Sequence, residues 1–228
     1  MTFGDITLGK QTVLCRDTPA FIANRIGVMS GTALINLTIE YKMSIEEVDA
    51  ITGPLIGRPN TATFKLQDLV GLDTSEKVSS FVTETVKNDD FFEKLKSKEV
   101  PKFMSFLLEN KFYGNKAGKG FYQKTKEKDS NGRTIINVLN LNTLKYEKTI
   151  RPKLKIVQDA KPIQNIGKRL SFLVSGNERE NLFLKDYFSL LFNYSAEMAP
   201  EISSSFYQID DAMRTGYFWD YGPFELWD

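Results

Sequence analysis

The chain contains no histidine, and this absence limits its chemistry more than anything else in its 228 residues. Histidine is the side chain that titrates near neutrality and the commonest metal-binding group. Without it, neither a Ser-His-Asp nor a Cys-His nucleophile system can be assembled from this chain. One cysteine, Cys15, excludes an internal disulfide and, with histidine absent, makes no case for a zinc site. It fits a reducing compartment, so a cytoplasmic location is the expectation. Charge of one sign is not in excess: 30 Lys and Arg face 29 Asp and Glu. A net charge of +1 offers no electrostatic argument for nucleic acid or an anionic membrane. No run approaches the roughly 18 apolar residues of a membrane span. Residues 1–10 carry no signal-peptide pattern.

What the chain does have is enough apolar material for a core, with 41% hydrophobic residues against 26% charged. Its length fits one domain or two small lobes. One stretch organises the rest, Arg16-Asp17-Thr18-Pro19-Ala20-Phe21-Ile22-Ala23-Asn24-Arg25-Ile26. It reads as an extended segment entering a long helix over 19–41, with Asp17 or Thr18 as cap and Pro19 in the first turn. Ile22, Ile26, Met29, Ala33 and Leu37 form one apolar stripe. Ala20, Ala23, Gly27 and Gly31 form a second, small-residue face that admits a close neighbour. Asn24 lies beside it with both a donor and an acceptor to offer.

Further along, Ser44-Ile45-Glu46-Glu47 has the form of a capping box and predicts a second helix. Glycines and prolines at 53–59 end it. Short helices are expected at 63–70, after a cap at Asp73-Thr74-Ser75, and within 100–109. From Gln123 the pattern becomes β-prone, with Thr134 to Leu139 as the clearest strand and a turn at Ser130-Asn131-Gly132. Helices are predicted again at 163–174, 178–198 and 206–214.

The end of the chain repeats its beginning. Ser205-Phe206-Tyr207-Gln208-Ile209-Asp210 has the form of Ser44-Ile45-Glu46-Glu47-Val48-Asp49. Phe224-Glu225-Leu226-Trp227-Asp228 has the form of Phe64-Lys65-Leu66-Gln67-Asp68. Asp49 precedes Phe64 by 15 positions and Asp210 precedes Phe224 by 14. A long amphipathic helix precedes each copy, so a duplicated helical unit sharing one core is expected. The division is a first repeat over 1–122, a β-rich insert over 123–158, and a second, truncated repeat over 159–228. The chain reads as a piece of a larger polypeptide.

These motifs resemble a family. Asp17 to Arg25, Val48-Asp49, Asp68-Leu69-Val70-Gly71-Leu72-Asp73 and Gly118-Lys119-Gly120-Phe121-Tyr122 look like the C-terminal helical domain of L-3-hydroxyacyl-CoA dehydrogenases. Gly222-Pro223-Phe224-Glu225-Leu226 keeps the same family's element in the second copy. The resemblance implies a mainly α fold, a duplicated 6-phosphogluconate dehydrogenase C-terminal-like domain with a small β insert. It also implies a missing N-terminal Rossmann domain that binds NAD and supplies the catalytic base, since no Gly-x-Gly-x-x-Gly fingerprint occurs here. The function it implies is oxidation of 3-hydroxyacyl-CoA in fatty-acid β-oxidation, with this piece inactive alone and holding neither cofactor nor metal. Expected partners are the acyl-CoA substrate, a hydratase domain in long multifunctional forms, and a second protomer. Asn24 is the one site residue carried over, as a supporting group that meets substrate or base across an interdomain cleft.

The plainer alternatives are a satisfied structural amide for Asn24, and a non-catalytic dimerisation or assembly module for the chain. Arg25 is expected to pair with a carboxylate such as Asp17. Lys116, Lys119, Lys124, Lys126 and Lys128 read as a solvated face rather than a CoA phosphate site. Phe218, Trp219, Tyr221, Phe224 and Trp227 read as core, or as a contact surface.

Overall fold

The computed structural model describes residues 3–96 and 98–228, so the expectations for residues 1, 2 and 97 lie outside it. The described chain is mainly helical. It runs through α1 (Ala23–Glu40), α2 (Ile45–Ile51), α3 (Phe64–Val70), α4 (Leu72–Thr85), α5 (Asp90–Lys96) and α6 (Lys102–Glu109). A meander follows, β1 (Tyr122–Lys128), β2 (Thr134–Leu139) and β3 (Tyr146–Lys148), paired antiparallel in that order. The chain ends with α7 (Lys155–Ala160), α8 (Ile166–Ser175), α9 (Arg179–Ile202), α10 (Phe206–Tyr217) and α11 (Pro223–Trp227).

The predicted stripe on α1 is the middle of the core: Ile22, Ile26, Met29, Ala33 and Leu37 are all buried. They pack against α9, whose Phe183, Leu184, Tyr187, Leu191 and Ile202 are equally buried. Periodic apolar residues on two long helices remove their stripes from water by facing each other. The small face of α1 admits a neighbour, as its composition predicts. That neighbour is α10, with Gly216 against Ala23 and Tyr217 against Gly27.

The start of α1 corrects the sequence reading. The helix begins at Ala23, not at Pro19, and neither Asp17 nor Thr18 caps it. Ala20 and Phe21 instead take left-handed backbone, φ 66° and 52°, which a helix interior does not allow. The cap of α4 is Gly71 rather than Asp73. There Gly71 has φ 96°, and its carbonyl accepts from the amides of Thr74 and Ser75. Helices α5 and α7 carry no periodic signal long enough to predict. Helix α9 passes through Pro200, whose nitrogen cannot donate, and ends two residues later at Ile202.

The β segment settles onto the first helices. Residues 130–132 turn as predicted, with Asp129 accepting from the Asn131 and Arg133 amides. Tyr122 pairs with Val138, and Val138 with Glu147. Buried Val138 and Leu139 face the core, while Lys124, Lys126 and Lys128 face solvent.

The two matched aspartates do the same structural work. Asp49 Oδ1 accepts from the amides of Thr63 (3.0 Å) and Phe64 (2.7 Å). Asp210 accepts from Phe224 (2.9 Å) and Glu225 (3.2 Å). Each carboxylate therefore satisfies the free amides that open α3 or α11. The Ser44 capping box forms as expected, with the Glu47 amide donating to Ser44 Oγ. Its counterpart at Ser205 does not form. The Gln208 carboxamide is occupied by the hydroxyls of Ser203 and Ser204 instead.

Candidate functional site

Asn24 sits in the first turn of α1 and is exposed, whereas Arg25 and Ile26 beside it are buried. The alternation follows from helix geometry, which turns adjacent residues about 100° apart. Asn24 Oδ1 accepts from the Tyr217 hydroxyl at 3.4 Å, and its Nδ2 makes no hydrogen bond among the described residues. Burial raises the pKa of the Tyr217 phenol, so it keeps its proton.

Arg25 corrects the expected pairing with Asp17. Its guanidinium is fully buried and bonds Asp89 at 2.9 Å, Tyr194 at 2.8 Å and Glu201 at 3.2 Å. Tyr194 also donates to Asp89 at 2.7 Å, closing a triangle among the three side chains. The other Asp89 oxygen accepts from the Phe91 and Phe92 amides at the start of α5. Burial opposes the Arg25 charge, but Tyr194, Asp89 and Glu201 more than offset it and hold its pKa up. Burial likewise raises the Tyr194 phenol. The network joins the first turn of α1 to α5 and α9.

The remaining sequence candidates are structural. Lys116 pairs with Asp73, and Lys119 lies over the rings of Phe112 and Tyr146 at 4.0 and 4.3 Å. Gly118 is a left-handed turn residue, and a Cβ on Gly120 would overlap Asp68. The Asp68 carboxylate accepts from the Phe121 and Tyr122 amides at 2.8 Å each. Of the terminal aromatics, Trp219 is buried, while Phe218 and Trp227 are largely exposed. Two open depressions lie on the surface, one lined by Arg169, Arg214 and Glu225, the other by Glu46, Asn140 and Glu147. Neither includes Asn24. The groups that sequence reasoning missed are Tyr217, Tyr194, Asp89 and Glu201. Each meets its partner across at least 64 positions of chain, a distance that no motif spans.

The residues present do not fit a bound NAD. The described sheet is an antiparallel meander, and no glycine-rich turn joins a strand to a helix in it. Among the described residues no cluster suits a metal ion, and no helix is long and apolar enough to cross a membrane.

Residues 21–124 match the model of the 3-hydroxyacyl-CoA dehydrogenase C-terminal domain. A probable 3-hydroxyacyl-CoA dehydrogenase of Bacillus subtilis is 38% identical, over 99% of this chain and 27% of its own length. A protein of Rickettsia prowazekii, named as a fatty acid oxidation complex trifunctional enzyme, is 30% identical over 96% of this chain and 28% of its own. The mitochondrial hydroxyacyl-coenzyme A dehydrogenase of Sus scrofa is 35% identical over 51% of this chain and 35% of its own. The chain thus spans roughly a quarter of the length of these two bacterial relatives. The crystal structure of 3-hydroxybutyryl-CoA dehydrogenase from Escherichia coli superposes with a TM-score of 0.62 at 19% identity. That match covers 96% of this chain and 54% of the other, and at such identity it speaks for the fold. With the family's helical fold in place and its motifs in order, residues 21–124 match the C-terminal domain of the 3-hydroxyacyl-CoA dehydrogenases, and nearly the whole chain is similar to part of a protein so named.

Proposed function

We propose that this chain is the substrate-side part of an NAD-dependent enzyme that oxidises L-3-hydroxyacyl-CoA to 3-ketoacyl-CoA in fatty-acid β-oxidation. NAD and the catalytic base belong to a Rossmann domain outside this chain, and the chain alone does not turn over. A fused hydratase domain and self-association into dimers are part of the same proposal. So is the division into a first repeat, a β-rich insert and a second repeat. The observation that carries the reading is Asn24: an exposed amide on a turn whose neighbouring residues are clamped into the core. A rigid helix end that presents one free donor to an opposing surface is suited to positioning rather than to bond-breaking.

The test uses the intact enzyme with 3-hydroxybutyryl-CoA and NAD, following NADH absorbance. Asn24→Ala should lower kcat about 10- to 100-fold at unchanged Tm. Undiminished turnover would refute the catalytic reading and favour an assembly module, which the exposed Phe206, Phe218 and Trp227 would suit. Turnover by the isolated chain would refute the assignment of base and cofactor to another domain.

A further inference from the structure

We propose that the second copy of the helical unit positions the candidate site in the first, through the Tyr217 hydroxyl. The inference rests on the reading of Asn24 given above. Tyr217 closes α10, and its ring occupies the place that Gly27 leaves open on α1. A Cβ on Gly27 would overlap that ring, whereas one on Gly216 would only make a tight 3.3 Å contact with Ala23. Gly27 lets α10 come near enough for the phenol to reach Asn24 Oδ1 at 3.4 Å.

The direction of this bond decides what Asn24 can do. A carboxamide has one acceptor end and one donor end. With the phenol proton donated to Oδ1, Nδ2 of the exposed Asn24, which makes no hydrogen bond among the described residues, is left as the available group. Asn24 is therefore set as a donor, and the ligand atom it suits is a carbonyl or alkoxide oxygen. The second copy cannot build this site for itself. Counting from the matched Ser44 and Ser205, Lys185 stands where Asn24 does and Phe188 where Gly27 does. Its contribution is to hold the first copy's helix end, with Tyr194 and Glu201 fixing Arg25 from one side and Tyr217 fixing Asn24 from the other.

The experiment is a double-mutant cycle in the intact enzyme, with 3-hydroxybutyryl-CoA and NAD as probes. Tyr217→Phe removes one hydroxyl and keeps the ring on Gly27. It should lower kcat about three- to tenfold, with KM for NAD and Tm unchanged. In an Asn24→Ala background the same substitution should cost nothing further. Gly27→Ala, which displaces the ring, should reproduce the loss. Wild-type turnover in Tyr217→Phe beside an impaired Asn24→Ala overturns the inference while leaving the reading of Asn24 intact. So does a Tyr217→Phe loss that persists when Asn24 is gone. An Asn24→Ala enzyme of full activity removes the reading itself, and the inference with it.

Discussion

Arg58 stacks on Trp219, its guanidinium carbon 3.9 Å from the ring centroid. The two residues hold equivalent places, each nine positions after its copy's aspartate, Asp49 or Asp210. The residues before them, Gly57 and Phe218, are both left-handed, with φ 72° and 55°. The Gly57 carbonyl accepts from the Asp220 amide at 2.8 Å, so the two segments also join through backbone at this point. Arg58 further meets the ring and hydroxyl of Tyr187, which is bonded to Ser30 at 2.7 Å. A buried cation without a carboxylate is thus held by two aromatic faces.

This arrangement makes Trp219 a larger contributor to stability than Arg58. Trp219→Ala leaves a cavity and a buried cation with one of its two faces gone, and should cost about 3–5 kcal/mol. Arg58→Met keeps the volume and removes the charge, at about 1–2 kcal/mol. Urea midpoints of the two variants measure the order. Equal losses would mean that the stacking contributes little beyond volume.

Asp89 is the anion on which Arg25 depends. Asp89→Ala should cost about 3–5 kcal/mol, because among its carboxylate partners it leaves the buried guanidinium just the partly exposed Glu201. It also removes the acceptor for two amides of α5. Asp89→Asn keeps an acceptor for those amides and should fall between wild type and Ala. A urea midpoint for Asp89→Ala within 0.5 kcal/mol of wild type would show that the network is dispensable.

Asp68 and Asp210 make stability depend on pH. Burial raises both carboxyls to about 6, against the opposing amide hydrogen bonds of Tyr122 and Phe121 or of Phe224. Between the unfolded value near 3.8 and about 6 the native state holds more protons than the unfolded one. Stability from these groups is therefore greatest below that window and is lost as pH rises through 6. The loss is on the order of 3 kcal/mol for each group. Asp210→Asn, neutral with one acceptor kept, should flatten the fall in urea midpoint between pH 4.5 and 7. An unchanged slope would remove Asp210 from the account.

Local signals carried much of the fold. The Ser44 capping box, the strand over 134–139 and the stripe from Ile22 to Leu37 were legible because each depends on residues a few positions apart. The four-residue error at the start of α1 has a local cause too: Pro19 is compatible with a first helical turn, but Ala20 and Phe21 adopt left-handed backbone. At the candidate site only Asn24 could be named in advance, and only through the motif around it.

By itself the sequence determined that no histidine-based or disulfide chemistry belongs to this chain. It also showed a repeated pattern, an aspartate 15 or 14 positions before a Phe-x-Leu element, and both aspartates accept from the amides that open the following helix. Tertiary structure alone decided that α10 covers the small face of α1 at Ala23 and Gly27. It also decided that Tyr217 takes the acceptor end of Asn24 and that Asp89, not Asp17, holds Arg25. Capping and periodicity are properties of neighbouring residues. The partner of a buried amide or guanidinium is set by which distant helix the collapse of the core brings against it.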